Sequence, residues 1–318
     1  MQSKTVLFIN LLLLFSIVLS GQNSSSIEIG IVTDNDLYTS SKNDQYYTNG
    51  LEIFYRYLSK KDKPQLIKQV NQIKLGQYMY SPRDIYRDEE EMFDRPFAGY
   101  LFGEFGNTNF YTNQTILKKY VQIGYVGPNS FADQVQSSTH RIFNYTAFDE
   151  WDYQIKNALA IQVYALFAKP FLSSKINSER IDFQWQAEAK LGTIFTALST
   201  GFVTRIGFKK LVPLSDSNFY GASLNKDKSL SQNEFYFYMA PYFNYQIYDA
   251  TIQGSLFNDN SPVTFDIKPF RFNGEAGLRY RINNLNLSYA FVYRGKELKS
   301  ERMTGYFYGS IGISYLFR

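Results

Sequence analysis

The chain contains no cysteine and only one histidine, His140, in 318 residues. Without thiols no disulfide can brace the fold, so stability has to come from burial and hydrogen bonding. Neither sign of charge dominates: 33 Lys and Arg stand against 29 Asp and Glu, for a net charge of +4. That field is too weak and too mixed to argue for a nucleic-acid partner. After the first 21 residues there is no long apolar run, so any passage through a membrane has to be made by strands. No Gly-x-Ser-x-Gly elbow occurs, which leaves a serine nucleophile without a motif behind it. No linker, internal repeat or second domain interrupts the sequence.

What the chain has in quantity is aromatic residues. They make up 18% of it, with 27 Tyr and 28 Phe, beside a mean hydropathy of −0.31. That combination argues against a helical membrane protein and suits a barrel whose every second residue faces water. Residues 1–21 read as a secretory signal: Lys4 supplies the positive start, Val6 to Leu19 is apolar except for Asn10 and Ser16, and Ser20-Gly21 offers small residues for cleavage. The mature domain is then expected to span residues 22–318.

From Ser26 onward the period is two. Ile27, Ile29 and Ile31 alternate with Glu28 and Gly30, and Leu51, Ile53, Tyr55 and Tyr57 alternate with Glu52, Phe54 and Arg56. Further strands are expected at Gln72–Met79, Ala98–Phe105, Leu117–Val126, Gln154–Phe167, Arg180–Phe195, Thr196–Phe208, Glu234–Tyr248, Pro269–Arg281, Leu285–Arg294 and Thr304–Phe317. Asn283-Asn284 reads as a tight hairpin turn, and Asp216-Ser217-Asn218 and Asn258-Asp259-Asn260 as longer loops. The sum is an all-β, transmembrane antiparallel barrel of about 12 strands, the even number that bacterial single-chain barrels use. Tyr315-Leu316-Phe317 resembles the aromatic closing strand of outer-membrane proteins, with Arg318 as a small departure. A soluble β-sandwich is the competing reading. Charged and amide residues opposite aromatics along long strands fit a wet lumen better than a dry two-sheet core.

One segment, Gly127 to Gln154, lacks this alternation and reads as a folded functional loop; it contains His140. A lone imidazole is either a polar residue that happens to sit in a loop or a working group. A second polar cluster, Thr33-Asp34-Asn35-Asp36, ends the first strand, and Tyr47-Thr48-Asn49-Gly50 opens the second. Strand parity puts both, together with the crossing that carries His140, at one rim. The charge-dense connection Tyr80–Phe97 falls at the same rim, and most of its charges read as solvated.

These segments resemble a known family. Asp34-Asn35-Asp36, Asp44 with Tyr47-Thr48-Asn49-Gly50, Tyr80-Ser81-Pro82, Asp94-Arg95-Pro96-Phe97-Ala98-Gly99, and Gly127-Pro128 followed by Gln136, His140, Trp151 and Gln154 look like the lipid A deacylases of the LpxR type. Each motif is short; their order and spacing across the mature chain are specific. The resemblance implies a twelve-stranded outer-membrane barrel and a calcium-dependent hydrolase that removes the 3′-linked acyloxyacyl chain of lipid A. Its site lies between the barrel wall and the outer leaflet. His140 matches the family's general base, and Asn35, Asp36 and Thr48 its polar residues near the metal. Arg87 matches a basic residue after the Ser-Pro pair. The family places a Glu six residues after the histidine to orient it, and Thr146 stands there in this chain, with Asp149 and Glu150 close by as candidate substitutes.

The chemistry this implies is ester hydrolysis by water, with neutral His140 as proton acceptor. Ca²⁺, held by Asp36 and Asn35, would polarise the ester carbonyl. Thr48 would place the water or complete the oxyanion site, and Arg87 would hold a lipid A phosphate. A monomer with lipid A or lipopolysaccharide as its partner is expected. Two other classes keep the same topology: a non-catalytic porin or adhesion barrel, and an outer-membrane phospholipase.

Overall fold

The computed structural model describes residues 27–39, 46–60, 63–83, 93–143, 150–171, 179–225, 233–257 and 260–317. The proposed signal, residues 1–21, lies outside them. Twelve strands close into one antiparallel barrel: β1 (Ile27–Asn35), β2 (Tyr46–Leu58), β3 (Leu66–Ser81), β4 (Ala98–Tyr111), β5 (Ile116–Val126), β6 (Ala158–Pro170), β7 (Ile181–Gly192), β8 (Phe195–Gly207), β9 (Glu234–Asp249), β10 (Phe270–Ile282), β11 (Leu285–Arg294) and β12 (Tyr306–Phe317). Each strand pairs with its sequence neighbours, and β12 returns to β1 with Ile27 opposite Phe317. Closure leaves no sheet edge with unpaired backbone groups, the condition for strands to cross a bilayer. Below, the lower rim is the one where β1 begins and β12 ends; the upper rim is the other.

The expected alternation sorts the two faces. Ile31, Leu51, Ile53, Ile73, Leu75 and Ile123 point outward and stay exposed, 39–62% of each. An apolar outer band of this kind belongs against lipid hydrocarbon. Their neighbours point inward and are wet chemistry: Arg56 pairs with Glu28 at 3.2 Å, and Lys74 bridges Glu52 at 3.1 Å and Glu104 at 3.5 Å. Gln72 and Gln122 donate to Glu104 at 2.8 and 2.7 Å. Asn283-Asn284 is the two-residue hairpin expected, with Asn283 at φ 52°.

Three strand ends differ from the sequence expectation by four residues or more. β3 begins at Leu66 and β4 runs on to Tyr111, because the mixed stretches 66–72 and 106–111 pair with each other. β6 begins at Ala158, since Gln154 and Ile155 are taken up at the rim, where the Ile155 amide donates to the Phe97 carbonyl at 2.9 Å.

The larger difference lies at the lower rim. The described part of the connection from β8 to β9, residues 208–225, read as a loop around Asp216-Ser217-Asn218, folds into the barrel as a plug. Tyr220, Ala222 and Leu224 are buried against Val70, Phe110, Ile116 and Leu316 of the wall. Lys68 of β3 anchors it, donating to the carbonyls of Ala222 and Leu224 at 2.7 and 2.8 Å and to the side chains of Asn225 and Asp216 at 2.7 and 3.3 Å. Above the plug, a lumenal cavity of about 420 Å³ is lined by Tyr, Arg and Glu side chains. At the upper rim, Arg95 stacks on Tyr80 at 4.2 Å and donates to Thr251 at 3.0 Å. It thereby ties the β3–β4 connection to α2 (Ala250–Gln253), a short helix in the β9–β10 connection.

Candidate active site at the upper rim, on the outer face of the barrel

β1 ends on three residues with three destinations. Asp34 points into the lumen, Asn35 outward, and Asp36 opens a 3₁₀ turn, Asp36–Tyr38, over the rim. Asn35 is extended, φ −157° and ψ 142°, and caps that turn: its Oδ1 accepts from the Leu37 amide at 2.8 Å. Its Nδ2 donates to the Thr48 carbonyl at 2.9 Å. Asp36 is 1% exposed, and its Oδ1 accepts from the same Leu37 amide at 2.9 Å. Tyr38 then turns down over the outer wall, where its carbonyl accepts from Tyr289 at 3.2 Å and its hydroxyl meets Thr33 at 3.3 Å.

Thr48 occupies a bulge. Pairing between β2 and β3 steps from Tyr47 opposite Tyr80 to Asn49 opposite Met79, so Thr48 has no partner on β3. The extra residue frees the Thr48 carbonyl from the ladder and lets Asn35 reach it; re-aiming a group in this way is what bulges near functional sites do. β2 begins under constraint as well. Tyr46 has φ 70°, and its hydroxyl donates to Asp94 Oδ2 at 2.8 Å, while Asp94 Oδ1 accepts from the Arg83 amide at 3.0 Å. Asp94 and Arg95 are 5% and 0% exposed. The reading of the 80–97 charge run as solvated therefore fails at these two residues, which find separate partners inside the rim, Tyr46 for Asp94 and Thr251 for Arg95.

The described part of the segment read as a folded loop is largely helical. Pro128–Ser130 is a 3₁₀ turn, α1 spans Ala132–Phe143, and Glu150–Tyr153 is a second 3₁₀ turn. Gly127 allows the entry: φ 91° suits a residue without Cβ, and its amide donates to the Gly99 carbonyl at 2.9 Å. Gln77, on the outward register of β3, donates to the Ser130 carbonyl at 2.6 Å. Ala132 packs with Met79, Phe93, Phe97, Trp151 and Val263. The base of α1 thus rests on the outer side of β3 and β4, two strands along the wall from Asn35. Trp151 Nε1 donates to Gln136 Oε1 at 2.7 Å, which fixes the turn of α1 that precedes His140. Asp133 stands in the first turn and accepts from Ser137 at 3.1 Å, the sign a helix N-terminus favours.

The backbone of His140 is in α1, four residues after Gln136 and so one turn further on a neighbouring register. Its imidazole is outside the described atoms, as are all of Arg87, Thr146 and Asp149 and the side chain of Glu150. The structure brings Asn35, Asp36 and Thr48 together and carries the His140 helix to the same rim. Sequence reasoning named Gln136 and Asp94 among the family's motifs but gave neither a role; their partners, Trp151 and Tyr46, come from the fold. Gln136 had a signal, lying four residues before the only histidine, but only if the segment is recognised as a helix.

As a cation site, Asn35, Asp36 and Thr48 offer oxygen donors throughout, which suits Ca²⁺. Among the described residues no group of three or more His, Cys, Asp or Glu side chains stands close enough to hold a metal by itself. Amide, hydroxyl or backbone oxygens would have to complete the shell.

Comparison with known proteins follows the same outline. The family model described as "Outer membrane protein LpxR" matches residues 7–317. The structure of LpxR from Salmonella typhimurium superposes with a TM-score of 0.72 at 20% identity, over 91% of this chain and 100% of that one. The β domain of the Bordetella autotransporter BrkA and the translocator domain of NalP from Neisseria meningitidis align less well, with TM-scores of 0.45 and 0.44 at 11% and 10% identity. They cover 92% and 99% of this chain and 98% and 96% of their own. No curated protein matches the sequence.

Proposed function

The chain belongs to the LpxR family of outer-membrane proteins, and from that premise we propose that it is a lipid A deacylase hydrolysing the 3′-linked acyloxyacyl ester. The observation that carries the reading is where the polar groups sit. Asn35, outward on β1, donates to the Thr48 carbonyl at 2.9 Å, directly above an exposed apolar band that includes Ile31, Leu51 and Ile53. A lipid lying against that band brings its headgroup-proximal esters to the level of the rim. A lumenal site would demand a soluble substrate; a site on the outer face takes one that stays in the leaflet.

In this reading the substrate's acyl chains lie along the outer wall between the Asp36–Tyr38 turn and α1. His140 takes the proton from water as it attacks the ester carbon and returns it to the departing alkoxide. Thr48 positions that water. Trp151 and Gln136 hold the α1 turn that carries the base, and Arg87 holds a phosphate of the disaccharide. Asp36 and Asn35 would bind Ca²⁺, which when present polarises the ester carbonyl. The plug argues against the porin alternative, since the lower mouth is filled by buried side chains anchored on Lys68.

Lipid A from cells with and without the protein, compared by mass spectrometry, tests the proposal. A loss of mass equal to one acyloxyacyl group, found only with the protein, supports it. Identical spectra would return the chain to the non-catalytic class, and release of fatty acid from phospholipid vesicles instead would favour a phospholipase.

A further inference from the structure

The bulge at Thr48 is fastened from both sides of the wall by adjacent residues. Outside, Asn35 Nδ2 holds the Thr48 carbonyl at 2.9 Å. Inside, the Tyr47 hydroxyl donates to Asp34 Oδ2, also at 2.9 Å. Consecutive residues of β1 therefore grip consecutive residues of β2, one pair facing lipid and the other facing the lumen. The lumenal pair is built in. Tyr47 is 5% exposed, and its ring is wedged among Tyr308, Tyr80 and Tyr78 with centroids 4.6, 5.3 and 5.8 Å away. The hydroxyl is thus aimed rather than free to swing.

Gly50 completes the arrangement. It stands opposite Asp34 in the β1–β2 register, and a Cβ there would fall inside contact distance of the Tyr47 hydroxyl and 3.1 Å from Asp34 Oδ2. Glycine at 50 leaves the space in which the bond forms. A bulged residue without a ladder partner has backbone freedom that its neighbours lack. Groups required at a reacting centre tolerate little of that freedom, since a displacement of about 1 Å can lower a rate by roughly a hundred-fold.

We propose that Asp34 and Tyr47, with Gly50 making room for them, are positioning residues for the reaction: a lumenal clamp that sets the Thr48 bulge and with it the placement of Asn35 and Thr48 at the upper rim. The proposal rests on the deacylase reading for its catalytic consequence and on geometry alone for the clamp itself.

Two readouts on the full-length, refolded protein separate these. Tyr47→Phe keeps the ring packing and removes only the donor. Its kcat on lipopolysaccharide is expected to fall about ten- to a hundred-fold with KM changed less than about two-fold, and its heat-modifiable mobility should remain that of a folded barrel. Asp34→Ala should match it, the double variant should be no worse than either single one, and Asp34→Asn, which keeps an acceptor, should retain most of the activity. Independently of activity, hydrogen exchange over residues 46–50 should quicken about ten-fold in Tyr47→Phe and not in Asp34→Asn. Wild-type kcat in both Tyr47→Phe and Asp34→Ala, or unchanged exchange in Tyr47→Phe, overturns the clamp. A wild-type protein that releases no acyl chain sinks the deacylase reading and the clamp's catalytic role with it, while the exchange result still decides whether the bulge is held from the lumen.

Discussion

Gly99 offers a sharp test of whether the docking of α1 on the wall matters to function. The residue faces outward on β4 beneath the start of the β5–β6 connection. A Cβ added there would lie under 3.0 Å from both the Ser130 hydroxyl and the Ala132 methyl, where 3.4–4 Å is ordinary contact. The Ser130 hydroxyl can rotate away; the Ala132 methyl cannot. The base of α1 must therefore retreat from the wall by roughly 1 Å, and His140 rides on the same helix about 12 Å further along. A 1 Å misplacement is worth about a hundred-fold in rate, or about 2.7 kcal/mol of barrier. Gly99→Ala should accordingly lose about that factor in acyl release, measured by mass spectrometry on purified protein with lipopolysaccharide. Gly103→Ala is the matched control: same strand, same outward face, with the nearest atom a comfortable 3.9 Å from the new Cβ. It should keep full activity and gain slightly in stability, since glycine weakens a strand interior. Equal activity in the two variants would refute the idea that the seat of α1 on β4 positions the reacting group.

Other expectations follow from the same geometry. Asn35→Ala removes the cap of the 3₁₀ turn and the tie to Thr48, so acyl release should fall by about two orders of magnitude or more while the cap itself costs only about 1 kcal/mol of stability. Retained activity would detach Asn35 from the site. Lys68→Met strips four acceptors in the plug of their donor, and breaking a buried charged cluster costs about 3–5 kcal/mol; planar-bilayer recordings should show conductance steps absent from the wild type, and a silent bilayer would mean the plug holds without Lys68. EGTA should abolish deacylation and excess Ca²⁺ restore it, whereas indifference to the chelator removes the metal from the account.

The barrel was legible because its physics is periodic. In β7 the outward Ile181, Phe183 and Trp185 alternate with Asp182, Gln184 and Gln186, and Gln186, Glu188 and Lys190 do line the lumen. The same alternation fixed parity, and parity alone put Asn35, Thr48 and the His140 segment at one rim. The plug was not legible. Its apolar residues, among them Tyr220 and Leu224, follow no period, because the backbone there is irregular and is satisfied by side chains such as Lys68. Asp94 and Arg95 stand apart from the charges around them only as part of a family motif, which gives them no partners; the fold shows that one meets Tyr46 and the other Tyr80.

α1 was hidden for a different reason. Among its described side chains only a small residue, Ala132, is buried, and Gln134, Gln136, Ser137, Ser138 and Thr139 leave Val135 as the one apolar residue of the next two turns, so the apolar stripe that usually announces a helix is short. The family resemblance supplied the identity of His140 without its setting. The structure supplied the setting, a helix seated on the outer wall and tied to Trp151 through Gln136.

The most direct measurement is acyl release from lipopolysaccharide by purified wild-type protein and by His140→Ala, both verified as folded barrels by heat-modifiable mobility. Wild type should liberate the 3′-linked acyloxyacyl group and His140→Ala none. Release by the variant at the wild-type rate, or lipid A left untouched by the wild type with calcium present, would contradict the assignment.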